Sequence, residues 1–257
     1  MRRLLAVLLS VATVTAVTGC GSENPASTDG KLAVVTAFYP LEFLSSRIGG
    51  DAVTVTNLTK PGAEPHDVEL NPRQVGQIAG AGLAVYLGGF QPAVDTAVSQ
   101  EAKDRSFDVT SAVELLPAAG DPHDHGQGAE EEVHAEEESG AKDPHVWLDP
   151  QRYATIADRL AERLGQADPE RAAGYTARAQ ALHAELDKLD AEFTAGLKTC
   201  ERRELFTSHA AFNYLATRYR LTQIGITGIT PESEPSPQRV AAVAAEAKEH
   251  GATTIFF

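Results

Sequence analysis

Apolar and polar positions along this chain fall into short blocks of two different periods, and the blocks alternate. A β-branched apolar run at Lys31–Ala37 predicts a first buried strand. Phe38-Tyr39-Pro40 breaks it, and Leu41–Ile48 predicts a helix stopped by Gly49 and Gly50. Asp51–Leu58 reads as a second strand, Lys60–Asp67 as a loop, and Asn71-Pro72 as the start of a helix to about Gly80. Gly82–Leu87 reads as a third strand and Gln91 to about Lys103 as a further helix. Strands alternating with helices at this spacing predict a mostly parallel sheet covered by helices.

The second half opens with helical sequence from Pro150 to about Leu164, with Asp149 as N-cap and Pro150 in the first position. Asp168 and Pro169 repeat that start, and no strong breaker follows until about Thr199, since Gly174 and Gly196 are mild penalties. Some 30 residues at 1.5 Å each make a helix of roughly 45 Å. Leu182, Leu186, Leu189, Phe193 and Leu197 form an apolar stripe at three-to-four spacing, and His183 lies off it. The βα pattern then returns. Glu204–Ser208 reads as a strand, His209 to about Tyr219 as a helix and Leu221–Ile226 as a strand. A helix from Ser236-Pro237 to His250 and a strand at Thr253–Phe257 follow.

The expected architecture is therefore α/β with two lobes, each a mostly parallel sheet covered by helices, joined by one long rigid helix. An N-terminal lobe is expected over 31–166, the linking helix over 167–198 and a C-terminal lobe over 199–257. The last lobe ends on an apolar strand with no covering helix, which reads as an incomplete lobe.

Composition narrows the classes. At 257 residues, 42% hydrophobic and 23% charged, the chain can bury a sizeable core. A formal charge of -14 argues against nucleic acid as a partner, because phosphate binding needs a basic face, and suits a cation. Arg2 and Arg3 precede an apolar run from Leu4 to Val17, so 1–19 reads as a signal peptide. Thr18-Gly19-Cys20 at its end resembles a bacterial lipoprotein signal, implying cleavage before Cys20 and lipidation of its thiol. An ordinary signal peptide or an uncleaved anchor is the alternative. Residues 20–30 are small and polar and read as a flexible tether. Cys200 is then the one remaining thiol, either buried and inert or paired with a group outside this sequence.

Residues 120–142 change character. Asp121, His123, Asp124, His125, Glu130–Glu132, His134 and Glu136–Glu138 follow one another with no basic residue before Lys142. Like-charge repulsion and the scarcity of large apolar residues predict an unstructured loop. Its histidines and carboxylates make it a candidate accessory cation collector; a solvated insertion with no specific role is the alternative.

Three further histidines share one setting. His66 lies in the loop after the second strand, His145 in a stiff Asp143-Pro144-His145-Val146-Trp147-Leu148-Asp149-Pro150 stretch before a helix, and His209 after the strand ending at Ser208. In open α/β sheets, ligand groups gather where strands end and helices begin. Three neutral imidazoles plus one more group make a tetrahedral Zn²⁺ site. Taken singly, each histidine also reads as a satisfied polar residue near a helix start. No HExxH and no CxxC pair is present.

Gly62-Ala63-Glu64-Pro65-His66-Asp67, Asp143–Pro150 and Ser208-His209-Ala210-Ala211-Phe212-Asn213-Tyr214 resemble the three ligand motifs of the zinc-binding solute-binding lipoproteins of bacterial zinc ABC importers. The acidic, histidine-rich loop before the second motif fits the same pattern, and the resemblance runs from about Lys31 to Phe257. It implies two α/β lobes with Zn²⁺ in the cleft between them, held by His66, His145 and His209. It also implies a monomer tethered by lipid at the outer face of the cell membrane or in the periplasm, handing zinc to a membrane permease driven by an ATPase. Manganese-binding relatives usually carry Glu where this chain has His209, and a third nitrogen favours zinc over the harder Mn²⁺. A fourth, carboxylate ligand would lie beyond Phe257; Glu64 is a candidate substitute, and a partner for Cys200 would be missing for the same reason. Two other readings use the same three histidines. One is a zinc hydrolase with an open coordination position, for which Glu64 is the candidate acid or base. The other is a metal-binding adhesin or storage lipoprotein.

Overall fold

The computed structural model describes residues 27–28, 30–118 and 141–257. The leader with Arg2 and Arg3, the Cys20 lipidation position, and His123, His125 and His134 of the acidic segment lie outside the described residues.

The larger sheet contains β1 (Ser27–Thr28), β2 (Lys31–Thr36), β3 (Val53–Asn57), β4 (Leu83–Tyr86) and β5 (Ser106–Asp108). β3, β2, β4 and β5 lie side by side and are all parallel, with Leu32 opposite Val53, Val34 opposite Leu83 and Ala84 opposite Ser106. β1 pairs antiparallel with the start of β2, so the end of the segment read as a flexible tether is held against the sheet. The alternation of the sequence thus builds the expected parallel sheet, with one strand more: β5 was not foreseen. Its three residues, Ser-Phe-Asp, bury only Phe107 and carry no periodicity to read.

Helices α1 (Tyr39–Gly49), α2 (Pro72–Gly80) and α3 (Pro92–Glu101) alternate with these strands. Each starts with proline in its first turn, where a missing N–H costs nothing. At α2 the Asn71 side chain accepts from the backbone of Arg73 and Gln74 while the Gln74 side chain accepts from Asn71 N, a reciprocal cap.

α4 (Pro150–Ala167) and α5 (Ala172–Gly196) pack along each other, and α1 packs on both. α4 buries Tyr153, Ala154, Ile156, Ala157, Leu160, Ala161 and Leu164, one face at helical spacing. α5, at 25 residues, is about 38 Å long at 1.5 Å per residue. Its buried stripe is Tyr175, Ala179, Leu182 and Leu186, and Leu189 is 40% exposed. The expected stripe therefore holds only at its start, where α5 packs on α1 and α4, and not in its second half. There it meets the smaller unit through polar and aromatic contacts instead. Asp190 binds the Arg218 guanidinium and accepts from Tyr219 Oη at 2.8 Å, and Phe193 stacks on Tyr219 at 5.2 Å. His183, expected at the surface, is half exposed and pairs with Asp158 at 2.8 Å.

The smaller unit contains β6 (Glu204–Thr207), α6 (Asn213–Tyr219), β7 (Thr222–Gly225) and α7 (Pro237–Glu249), with β6 and β7 parallel. Phe206, Ile224 and Val243 form its own small core. Two expectations are corrected here. The helix expected from His209 begins at Asn213, because Ala210 N is committed to Gly228 O and Ala211 N to His209 O. The strand expected over Thr253–Phe257 is a single parallel bridge from Phe256 to Thr207.

Candidate metal centre

His66 comes from the loop after β3, His145 from the stretch before α4 and His209 from the turn after β6, and the three meet. One ring nitrogen from each of His66, His145 and His209 lies within 4.8 Å of the others. His66 Nε2 and His145 Nε2 are 3.2 Å apart. A tetrahedral zinc with Zn–N bonds of about 2.0–2.1 Å sets its ligand nitrogens about 3.3–3.4 Å apart, so this pair already stands at the edge length of such a site. The donor set is three imidazole nitrogens, which suits zinc better than a hard cation.

His145 is the most constrained of the three. It is 2% exposed and sits where Pro144 stiffens the chain. Asp143, fully buried, accepts from His145 N at 2.9 Å and from its Nδ1 at 2.8 Å. An ionised carboxylate only accepts, so the ring proton belongs on Nδ1 and the Nε2 lone pair faces the cluster. The other Asp143 oxygen, Oδ2, is buried with no hydrogen-bond partner among the described residues. Trp147 packs on the same ring at 5.4 Å and on Phe38 at 5.1 Å. Asp149 caps α4 as expected, accepting from Gln151 N at 2.9 Å, so the helix start fixes the end of the His145 turn.

His66 is carried by a loop that leaves β3 and is fastened at two points. Gln91, 1% exposed, donates from Nε2 to Pro65 O at 2.6 Å, and the Glu64 carboxylate accepts from His66 N at 3.2 Å. Phe90 meets the His66 ring edge-on at 4.6 Å. Glu64 Oε1 lies 4.0 Å from His66 Nε2, on the exposed side of the loop. His209 follows β6. Its turn is closed by Thr227 N donating to Ser208 O and by a close approach of Gly225, where a Cβ would sit 2.6 Å from Thr227 O.

Burial, followed by the neighbouring imidazoles of His145 and His209, pushes His66 down to about 4. Burial and the His145 ring also hold His209 below the usual imidazole range, against the opposing pull of Glu232 and Asp143. Both rings are therefore neutral at neutral pH and can donate lone pairs.

The structure thus brings together His66, His145 and His209 and sets Glu64 beside them. Cys200 is exposed and free, not buried, with its thiol directed to Arg202 O. Asp143, Gln91 and Glu232 were not assigned roles from the sequence. The Asp-x-His spacing of Asp143 and His145 was a readable signal, since it lets one carboxylate reach both the amide and the ring. Gln91 acts through its bond to Pro65 O and the exposed Glu232 through its charge, and neither left a local signal.

An α/β fold with imidazoles converging at its strand ends belongs to the class of metal-ion-binding proteins built on parallel sheets. A family model described as "Zinc-uptake complex component A periplasmic" matches residues 34–257, and the chain belongs to that family. Among its relatives, the chain is 36% identical over 240 residues to zinc-binding protein AdcA of Streptococcus pyogenes, covering 89% of this chain and 46% of the relative. It is 33% identical over 249 residues to the high-affinity zinc uptake system protein ZnuA of Bacillus subtilis, covering 94% of this chain and 76% of the relative. The chain therefore spans about half the length of AdcA. In three dimensions it is similar to the Zn(II)-bound ZnuA-like domain of Streptococcus pneumoniae AdcA. That match has a TM-score of 0.71 at 30% identity and covers 88% of this chain and 79% of that one. Among the described residues no helix is long and apolar enough to cross a membrane.

Proposed function

We propose that this chain is an extracytoplasmic zinc receptor that captures Zn²⁺ with His66, His145 and His209 and delivers it to the permease and ATPase of an ABC importer. The single observation that carries the reading is the approach of the three ring nitrogens, with His66 and His145 at 3.2 Å. An all-nitrogen set supports zinc over Mn²⁺. The names of the relatives, zinc-binding and zinc-uptake proteins, support the same cargo. In this reading 31–166 and 199–257 act as two lobes joined by 167–198. Residues 1–19 are removed as a leader, and Cys20 carries a lipid that holds the chain at the outer face of the membrane. The acidic segment with His123, His125 and His134 serves as an accessory collector, and Glu64, 4.0 Å from His66 Nε2, is the candidate accessory ligand beside the three histidines. The role assigned is capture and release, with no bond made or broken in a substrate.

Zinc titration of the folded chain beside its His209→Ala variant tests the reading. The variant is expected to lose tight binding. Equal affinity in the two proteins would overturn the three-histidine site.

A further inference from the structure

Tyr214 stands on α6, which belongs by sequence to the smaller unit, yet its side chain is not part of that unit's core. The smaller core is built on Phe206, Ile224 and Val243, whereas Tyr214 is 1% exposed and joins the core of the larger sheet. Its hydroxyl donates to Asp143 O at 2.8 Å and accepts from Leu116 N at 2.8 Å. Leu116 O in turn accepts from Asp143 N at 2.9 Å, so three residues close a small ring of hydrogen bonds. Burial pushes the Tyr214 hydroxyl up to about 12, so it keeps its proton and stays a donor. The Arg152 guanidinium lies over the ring at 5.5 Å from its centre.

The consequence lies in what each end of this contact holds. Asp143 carries the carboxylate that fixes His145. Tyr214 is five residues beyond His209, at the start of the helix that follows the His209 turn. We infer that Tyr214 is a positioning residue: one hydroxyl ties the backbone that orients His145 to the segment that carries His209, and so sets the spacing of two ligands that come from different parts of the chain. The inference rests on the reading of the three histidines as the zinc site.

Tyr214→Phe keeps the ring and its packing and removes only the hydroxyl. Leaving Leu116 N and Asp143 O unpaired costs folding free energy, and the part that reaches the site is expected to weaken zinc binding by about 3- to 10-fold. Three readouts on the full chain decide the matter: zinc competition titration, the melting temperature of the metal-free protein, and the visible absorption of the protein saturated with cobalt(II) chloride. The inference expects weaker zinc binding and a cobalt spectrum altered in intensity. It also expects the Tyr214→Phe/Asp143→Asn pair to cost less than the sum of the single changes. A lower melting temperature with unchanged zinc affinity and an unchanged cobalt spectrum would make Tyr214 a packing residue and overturn the inference. His66→Ala run alongside separates the two levels. If it also leaves zinc affinity untouched, the zinc site itself is wrong; if it abolishes binding while Tyr214→Phe does nothing, only the role of Tyr214 is wrong.

Discussion

Asp143→Asn is the perturbation with the clearest consequence. The carboxylate is fully buried, and Oδ1 holds His145 by two bonds at 2.8 and 2.9 Å. A hydrogen bond to a charged group is worth about 1.5–3 kcal/mol. Removing an outer-shell partner of a ligating histidine typically costs about 10- to 100-fold in metal affinity, which converts to about 1.4–2.7 kcal/mol. Asn keeps the Oδ1 acceptor and loses the charge that polarises the ring, so zinc affinity should fall by about one to two orders of magnitude. Stability of the metal-free protein should move far less, or rise. The buried Oδ2 has no partner among the described residues, and a neutral amide costs less to bury there than an unpaired carboxylate oxygen. The assay is competition with a chromophoric zinc chelator at neutral pH, beside a thermal melt of the metal-free chain. Unchanged affinity in the folded variant would refute the claim that Asp143 orients and polarises His145.

Three further outcomes follow from particular contacts. His66 falls from 6.5 to about 4 on folding, so between those values the unfolded chain binds a proton that the folded chain does not. Metal-free stability should decline as pH drops through that window and show no dependence on His66 above it; a denaturant series with His66→Gln, in which that slope persists unchanged, would contradict this. Gly225→Ala would set a Cβ 2.6 Å from Thr227 O and 3.4 Å from Ala210 N, beside the His209 turn. A loss of about 1–3 kcal/mol in stability is expected from such overpacking, with weakened zinc binding, and a wild-type melting curve would count against it. Asp149→Ala removes the α4 cap and an acceptor 3.5 Å from the Arg218 guanidinium. It should cost about 0.5–2 kcal/mol in chemical unfolding, and no change would show the cap to be redundant.

How far the fold was legible depends on which force wrote each element. β2, β3 and β4 are apolar runs bounded by glycine, proline and polar residues, and they appear within a residue or two of their expected limits. β5 was hidden because an edge strand of three residues with one buried side chain has no period. The start of α6 was misplaced because Ala210, Ala211 and Phe212 have helical propensity but their backbone is claimed by the His209 turn. The far half of α5 misled because Leu189 continues the apolar period where the contacts to the smaller unit are made by Asp190, to Arg218 and Tyr219, and by Phe193. The three histidines were legible from their common setting at strand ends. Their support was less so: Asp143 had a local spacing to betray it, whereas Gln91 and Tyr214 act across 26 and 71 residues of sequence.

In the proposed site, three imidazoles from separate parts of the chain hold one zinc ion. X-ray absorption at the zinc edge, on the full chain loaded with one equivalent of Zn²⁺, tests it most directly. A four-coordinate shell with nitrogen or oxygen at about 2.0–2.1 Å and the outer-shell scattering of three imidazoles is expected. His209→Ala should lose one imidazole from that shell. A six-oxygen shell, or three imidazoles that persist in that variant, would contradict it.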